Sequence, residues 1–189
     1  MRSVIISLDQ SITIFFNRLL PHNFFFDGFF SFFSIRGINT IFWIILALFW
    51  IYLAEKKSPG LKKKDIKFIL IFSSSLLITA FFVNIILKNL IARTRPSLNR
   101  FQTAPASTSL ICPVDFSFPS GHAAIAFAAA SVLSAFDKKR KYLYYFIAFL
   151  IAFSRIYLGC HYFLDVFGGG LLGYLIAKWL LIKQRAGNN

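Results

Sequence analysis

The chain has 189 residues, 57% of them hydrophobic and 25 of them Phe, with a formal net charge of +14. That content excludes a water-soluble globular protein and places the chain among integral membrane proteins. The basic excess does not indicate nucleic acid, because Lys and Arg fall in short runs between apolar stretches, where they set topology and contact anionic lipids.

In chain order, residues 4–20 mix Ile, Leu and Phe with Asp9, Gln10, Asn17 and Arg18, a pattern that predicts an interfacial amphipathic helix. No removable signal peptide is expected, since a long apolar h-region and a small-residue cleavage site are both missing. Pro21-His22-Asn23 breaks the helix. The Phe-rich piece over 24–36 carries Asp27 and is short for a crossing, which takes about 20 apolar residues; whether it dips or spans is left open. Firm spans are predicted over 38–54, 68–87, 119–136, 142–158 and 162–182. The glycines Gly168, Gly169, Gly170 and Gly173 of the last span predict close helix contact. The expected fold is therefore an all-α membrane bundle of five spans, with a sixth open. It forms one domain over 1–189: an interfacial segment over 1–37 and a transmembrane core over 38–183.

Most basic residues, including Lys56, Lys57, Lys62 to Lys64, Lys67, Lys138 to Lys141, Lys178, Lys183 and Arg185, fall near one set of span ends, which the positive-inside rule makes cytoplasmic. With alternating spans, Lys88, His122, Arg155 and His161 then meet at the opposite face. Ionisable groups at such depth are costly and point to a site. His161 and Asp165 are four apart; on one helix they would share a face, and the carboxylate would hold one ring nitrogen and leave the other free. The competing reading is an Arg and a His reaching toward headgroups, with Asp165 as a buried partner. Pro119-Ser120-Gly121-His122 opens a span, where unpaired amides and the helix dipole favour an anion; it also reads as an ordinary helix start capped by Ser120. Lys88 and Arg95 are seven apart, but Arg95 precedes Pro96 and is biased out of helical geometry, so it is placed on the helix exit.

Lys88, six residues, Arg95-Pro96, then Pro119-Ser120-Gly121-His122, then Ser154-Arg155, five residues, His161, three residues and Asp165 resembles the type-2 phosphatidic acid phosphatase superfamily in all three motifs, over roughly residues 67–183. The resemblance implies a lipid phosphatase. His161 would attack phosphorus, Asp165 would orient it, and His122 would protonate the leaving oxygen. Lys88, Arg95, Arg155, Ser120 and Gly121 would hold the phosphate oxygens. Arg93 lies outside the motif and is a candidate headgroup contact. No metal and no cofactor is expected, because the cations take the part magnesium plays elsewhere.

The expected partners are a phosphorylated membrane lipid and the bilayer, with no nucleic acid and no obligate protein partner. The expected location is a bacterial inner membrane with the site facing out. Among substrates, undecaprenyl diphosphate and lipid A 1-phosphate lead by analogy, with phosphatidylglycerophosphate and phosphatidic acid behind them. A lipid phosphotransferase and a non-catalytic lipid-phosphate binder are the rival functions. Selectivity is assigned to the loop over 97–118 and the Phe-rich N-terminal segment. Cys112 and Cys160, the only cysteines, fall on the same outer side; the expectation is two unpaired thiols, a bridge being the alternative.

Overall fold

A computed structural model of the protein describes residues 2–35, 37–57, 59–60, 62–96 and 112–186. Most of the predicted selectivity loop, residues 97–111, lies outside these. Among the described residues seven helices carry the fold: α1 (Arg2–Asn17), α2 (Phe24–Ser34), α3 (Ile38–Lys57), α4 (Lys63–Ile91), α5 (Gly121–Phe136), α6 (Lys141–Tyr157) and α7 (Phe163–Ala186). Among the described residues there is no strand.

Among the described residues three helices, α3, α4 and the 22 residues Phe163–Gln184 of α7, are long and apolar enough to cross a bilayer by themselves. The other two predicted spans appear as α5, of 16 residues, and α6, of 17. At 1.5 Å per residue these are about 24–26 Å long, short of the roughly 30 Å of a hydrocarbon core. α5 does not have to match the bilayer, because α3, α4, α6 and α7 all pack on it. Its Ala-rich sequence makes this possible: Ala123, Ala124, Ala126, Ala128, Ala129 and Ala130 are all fully buried. Small side chains let helix backbones approach where the membrane itself gives no hydrophobic drive to associate. The 11 residues of α2 reach about 16 Å, too short to cross alone; α2 lies against α6 and α3 instead.

The glycine contact predicted for the last span is present. A Cβ on Gly169 would lie 2.4 Å from the Ser120 carbonyl oxygen, and one on Gly173 1.9 Å from that of Ala124. The α7 backbone therefore lies directly on that of α5, and the amide of Ser120 donates to the Asp165 carbonyl at 2.9 Å.

α1 is the expected amphipathic helix, and the structure shows what its polar face meets. Asp9, Thr13 and Asn17, spaced four apart on one helix face, are buried against protein, while Val4, Ile5, Leu8, Phe15 and Leu19 are exposed. The polar stripe faces inward and the apolar stripe outward, the arrangement expected where lipid surrounds the helix. Asn17 Nδ2 donates to the carbonyls of Ile156 at 3.3 Å and Tyr157 at 2.6 Å, satisfying the end of α6. The third histidine, His22, bonds Asp27 at 3.2 Å and stacks on Tyr157, whose hydroxyl donates to Asp27 at 2.7 Å.

Lys56, Lys57, Lys63, Lys138, Lys141 and Lys183 gather where α3, α5 and α7 end and α4 and α6 begin. The opposite end carries the exit of α4, the start of α5 and the turn between α6 and α7, and there the predicted residues converge.

Candidate active site

Each predicted residue is delivered by a helix end. α4 passes through a wide π turn over Phe82–Leu87, resumes at Lys88 and stops at Ile91, where Ala92 takes the left-handed conformation with φ 48°. Arg93 and Arg95 then lie on non-helical chain before Pro96, which disfavours helix at Arg95. Ser120 holds the N-cap position of α5 without a side-chain cap bond, and His122 sits in the first turn. Arg155 is in the last turn of α6, and His161 falls between α6 and α7.

This last placement corrects the expected helical pair. α7 begins at Phe163, so His161 and Asp165 do not share a helix face. Asp165 reaches back to accept from the Tyr162 amide at 2.8 Å, the backward half of a capping box. His161 Nδ1 is 3.7 Å from Asp165 Oδ2, beyond a direct hydrogen bond. Ser117 fills the gap: its hydroxyl donates to Asp165 Oδ2 and lies 3.5 Å from His161 Nδ1.

On the other side of the ring, Arg95 Nη1 is 3.0 Å from His161 Nε2 and also donates to the Cys160 carbonyl at 2.7 Å. A guanidinium only donates, so Nε2 bears the lone pair and Nδ1 the proton, facing Ser117 and Asp165. Burial, then the charges of Arg95, Arg155 and Lys88, hold the His161 pKa well below its ordinary 6.5. The ring is thus neutral at neutral pH, with its lone pair aimed among cations.

A cavity of about 350 Å³ opens here, lined by Lys88, Arg95, His122, His161, Asn39 and Asn84 among others. Behind the wall lies Arg155, fully buried. Its Nη1 reaches the Ser34 carbonyl at 3.4 Å, while Nε and Nη2 have no partner among the described residues. The Ser120 hydroxyl is likewise buried and unpartnered. A buried cation without a counter-anion costs on the order of several kcal/mol, so this corner suits an anion. Of the predicted set, Lys88, Arg95, Gly121, His122 and His161 line the cavity, and Arg155, Ser120 and Asp165 are buried next to it.

Two findings go beyond the sequence reading. Asp115 lies across Lys88 and Arg95, its carboxylate accepting from Lys88 Nζ and, at 2.5 Å, from Arg95 Nη2; its backbone carbonyl takes Arg95 Nε at 2.8 Å. Burial pushes the Asp115 carboxyl up, but the bonds from Lys88 and Arg95 outweigh it and hold the pKa below the usual 3.8. Arg93, read as a headgroup contact, instead donates to Asp165 Oδ1 at 2.6 Å and to Asp9 Oδ2 at 2.5 Å. Three acids therefore stand at a site where the sequence showed one. Asp9 did carry a signal, as an acid in an otherwise apolar helix; Asp115 and Ser117 carried none beyond nearness to the Pro-Ser-Gly-His turn.

Cys112 and Cys160 form a disulfide with Cα atoms 5.3 Å apart, which overturns the expectation of free thiols. It ties the segment bearing Asp115 and Ser117 to the residue before His161. Among the described residues no group of three or more His, Cys, Asp and Glu could hold a metal ion.

The model of the PAP2 superfamily matches residues 68–188. A lipid A 4'-phosphatase of Bacteroides thetaiotaomicron is 30% identical over 175 residues, 88% of this chain and 72% of that protein. The bacitracin transport permease protein BcrC of Bacillus licheniformis is 36% identical over 104 residues, 54% of this chain and 51% of its own. An undecaprenyl-diphosphatase of Sulfolobus acidocaldarius is 42% identical over 66 residues, 34% of this chain and 32% of its own. This chain thus spans about half the length of BcrC and less of the diphosphatase. The crystal structure of Aquifex aeolicus LpxE superposes with a TM-score of 0.66 at 28% identity, covering 92% of this chain and 94% of that one. With its three motifs converging on one cavity and two thirds of its length matched by the family model, the chain belongs to the PAP2 superfamily.

Proposed function

We propose that this protein is a membrane-embedded lipid phosphatase that cleaves a phosphomonoester or diphosphate of a lipid headgroup through a phosphohistidine. The observation that carries the reading is the His161 ring, neutral and tautomerically fixed, with its Nε2 lone pair facing Arg95 at 3.0 Å beside the unpartnered donors of Arg155. In the first step Nε2 attacks phosphorus, the bond to the lipid oxygen breaks, and His122, protonated once the phosphate's negative charge stands beside it, gives that oxygen its proton. The ring, now cationic with Nδ1–H retained, is stabilised by Asp165 through Ser117. Lys88, Arg95 and Arg155 hold the equatorial oxygens, with the Ser120 hydroxyl and the start of α5 at Gly121. Water then attacks phosphorus, the N–P bond breaks, and His122 takes the water's proton.

The site opens at the membrane face opposite the lysine-rich ends, which supports an extracytoplasmic orientation in a bacterial inner membrane; the disulfide suits the same oxidising side. Relatives named for lipid A and undecaprenyl diphosphate support those two lipids as leading substrates. A phosphate-release panel in detergent tests the reading, with undecaprenyl diphosphate, lipid A phosphates, phosphatidylglycerophosphate and phosphatidic acid. Release is expected from at least one lipid and lost in His161→Ala. Full activity of purified His161→Ala would refute the nucleophile, and no release from any lipid would refute the activity.

A further inference from the structure

We infer that Asp9 of α1 is a positioning residue for this reaction, fixing the Asp165 carboxylate beside His161 by its grip on Arg93. The inference rests on the phosphohistidine reading and concerns a helix outside the family match, which begins at residue 68.

The Arg93 guanidinium, at 4.2 Å from the centre of the Tyr162 ring, is shared by two buried carboxylates. Nη1 donates to Asp165 Oδ1 at 2.6 Å and Nη2 to Asp9 Oδ2 at 2.5 Å. With Oδ1 held, rotation of the Asp165 carboxylate is stopped, and Oδ2 stays on Ser117 and the Tyr162 amide, the side that faces His161. The other oxygen of Asp9 accepts from the Leu164 amide at 2.9 Å. Thr13 Oγ1 donates to the Asp9 carbonyl at 2.6 Å and accepts from the Phe163 amide at 2.9 Å. One face of α1 therefore caps the first turn of α7, the turn that carries Asp165.

Charge gives the second part of the argument. Arg93 with Asp165 alone would be neutral, and the carboxylate would have little left to offer an imidazole ring that becomes cationic on phosphorylation. Adding Asp9 leaves the trio at net −1, in a buried setting where such a charge is felt strongly. Asp9 thus supplies both the rotation stop and the surplus negative charge.

Asp9→Asn separates this from a scaffold role. Asn keeps an acceptor for Leu164 but turns its other group into a donor facing Arg93. We expect kcat to fall about tenfold or more, the scale of one charge-assisted bond, with KM within about twofold. The acid limb of the kcat/KM profile should move to lower pH, because removing a negative charge makes His161 harder to protonate. The other charged or titratable groups around His161 are Lys88 at the end of α4, Arg93 and Arg95 after it, Asp115 before α5, His122 on α5, Arg155 on α6, Tyr162 before α7 and Asp165 on α7. All are unchanged in this variant, so the shift reads Asp9.

Thr13→Val removes the Thr13–Phe163 bond between α1 and α7 without touching charge; it should lower thermal stability and leave the acid limb in place. In an Arg93→Gln background, Asp9→Asn should cost no further kcat, the mark of action through Arg93. A folded Asp9→Asn with wild-type kcat and acid limb overturns the inference. If that variant does not fold, Arg93→Lys decides, since a point charge cannot replace the planar fork: a kcat loss at unchanged KM is expected, and wild-type kcat overturns it. Retained activity in His161→Ala would instead overturn the reaction on which the inference stands.

Discussion

Opening the Cys112–Cys160 bridge is a perturbation whose size follows from the fold. The two cysteines are 48 residues apart, and the chain-entropy relation gives about 4 kcal/mol for a loop of that length. That is an upper figure, because α5 and α6 lie inside the loop and stay helical in a bilayer even when tertiary contact is lost. Setting aside their 16 and 17 residues leaves about 15 free residues, for which the same relation gives about 3 kcal/mol. Cys112→Ser, or reductant on the wild type, should therefore cost about 3–4 kcal/mol. The activity should fall as well, since the bridge anchors the segment that puts Ser117 between Asp165 and His161. The assay is thermal inactivation of purified protein in detergent with and without reductant, alongside thiol labelling of denatured, unreduced chain. Equal inactivation midpoints would refute the energetic reasoning, and two labelled thiols per unreduced chain would refute the bridge.

Asp115→Asn should lower KM about three- to tenfold, because an incoming phosphate then displaces no carboxylate from Lys88 and Arg95, and each such half-exposed pair is worth about 0.2–1 kcal/mol; an unchanged or raised KM in steady-state kinetics would show that Asp115 organises the clamp instead of competing for it. Gly169→Ala drives a methyl into the Ser120 carbonyl and should destabilise by about 1–3 kcal/mol or more, read as a lower thermal midpoint; a wild-type midpoint would mean that α7 can slide on α5. At the other end of the bundle, burial raises the Asp137 carboxyl, but the bonds from Tyr144 and Arg140 prevail and hold it below 3.8. A depressed carboxyl contributes stability above its unfolded value and loses it as pH falls through the folded one. Asp137→Asn should therefore destabilise at pH 7 and converge with wild type below about pH 4; a pH-independent difference in thermal midpoint would refute this.

The three motifs were legible because each places a costly polar residue at the edge of an apolar stretch, and alternation of spans carries such edges to one face. Spans α3 and α4 were legible by length, and the close contact at Gly169 and Gly173 by composition. What escaped lay in pairings that run against local pattern. The stripe of Asp9, Thr13 and Asn17 fits an interfacial helix as well as a buried one, and only the α6–α7 turn decides which way it faces. His161 and Asp165 have helical spacing, but the helix starts after His161, so Ser117 had to bridge them. The disulfide could not be read because the Cα separation of Cys112 and Cys160 is set by the whole bundle.

The inward stripe of α1 also bears on how the protein is made. Asp9 meets Leu164 across 155 residues of chain, Thr13 meets Phe163 across 150, and Asn17 meets Tyr157 across 140. Such distant pairings are slow to close, since the chain between them must be placed first. Both partners of Asp9, Arg93 and the Leu164 amide, follow it in the chain, so these bonds can close only after α4 and α7 have been made. The segment holding His161 can settle only once the last span is in the membrane, so an incompletely inserted chain is left with His161 unordered.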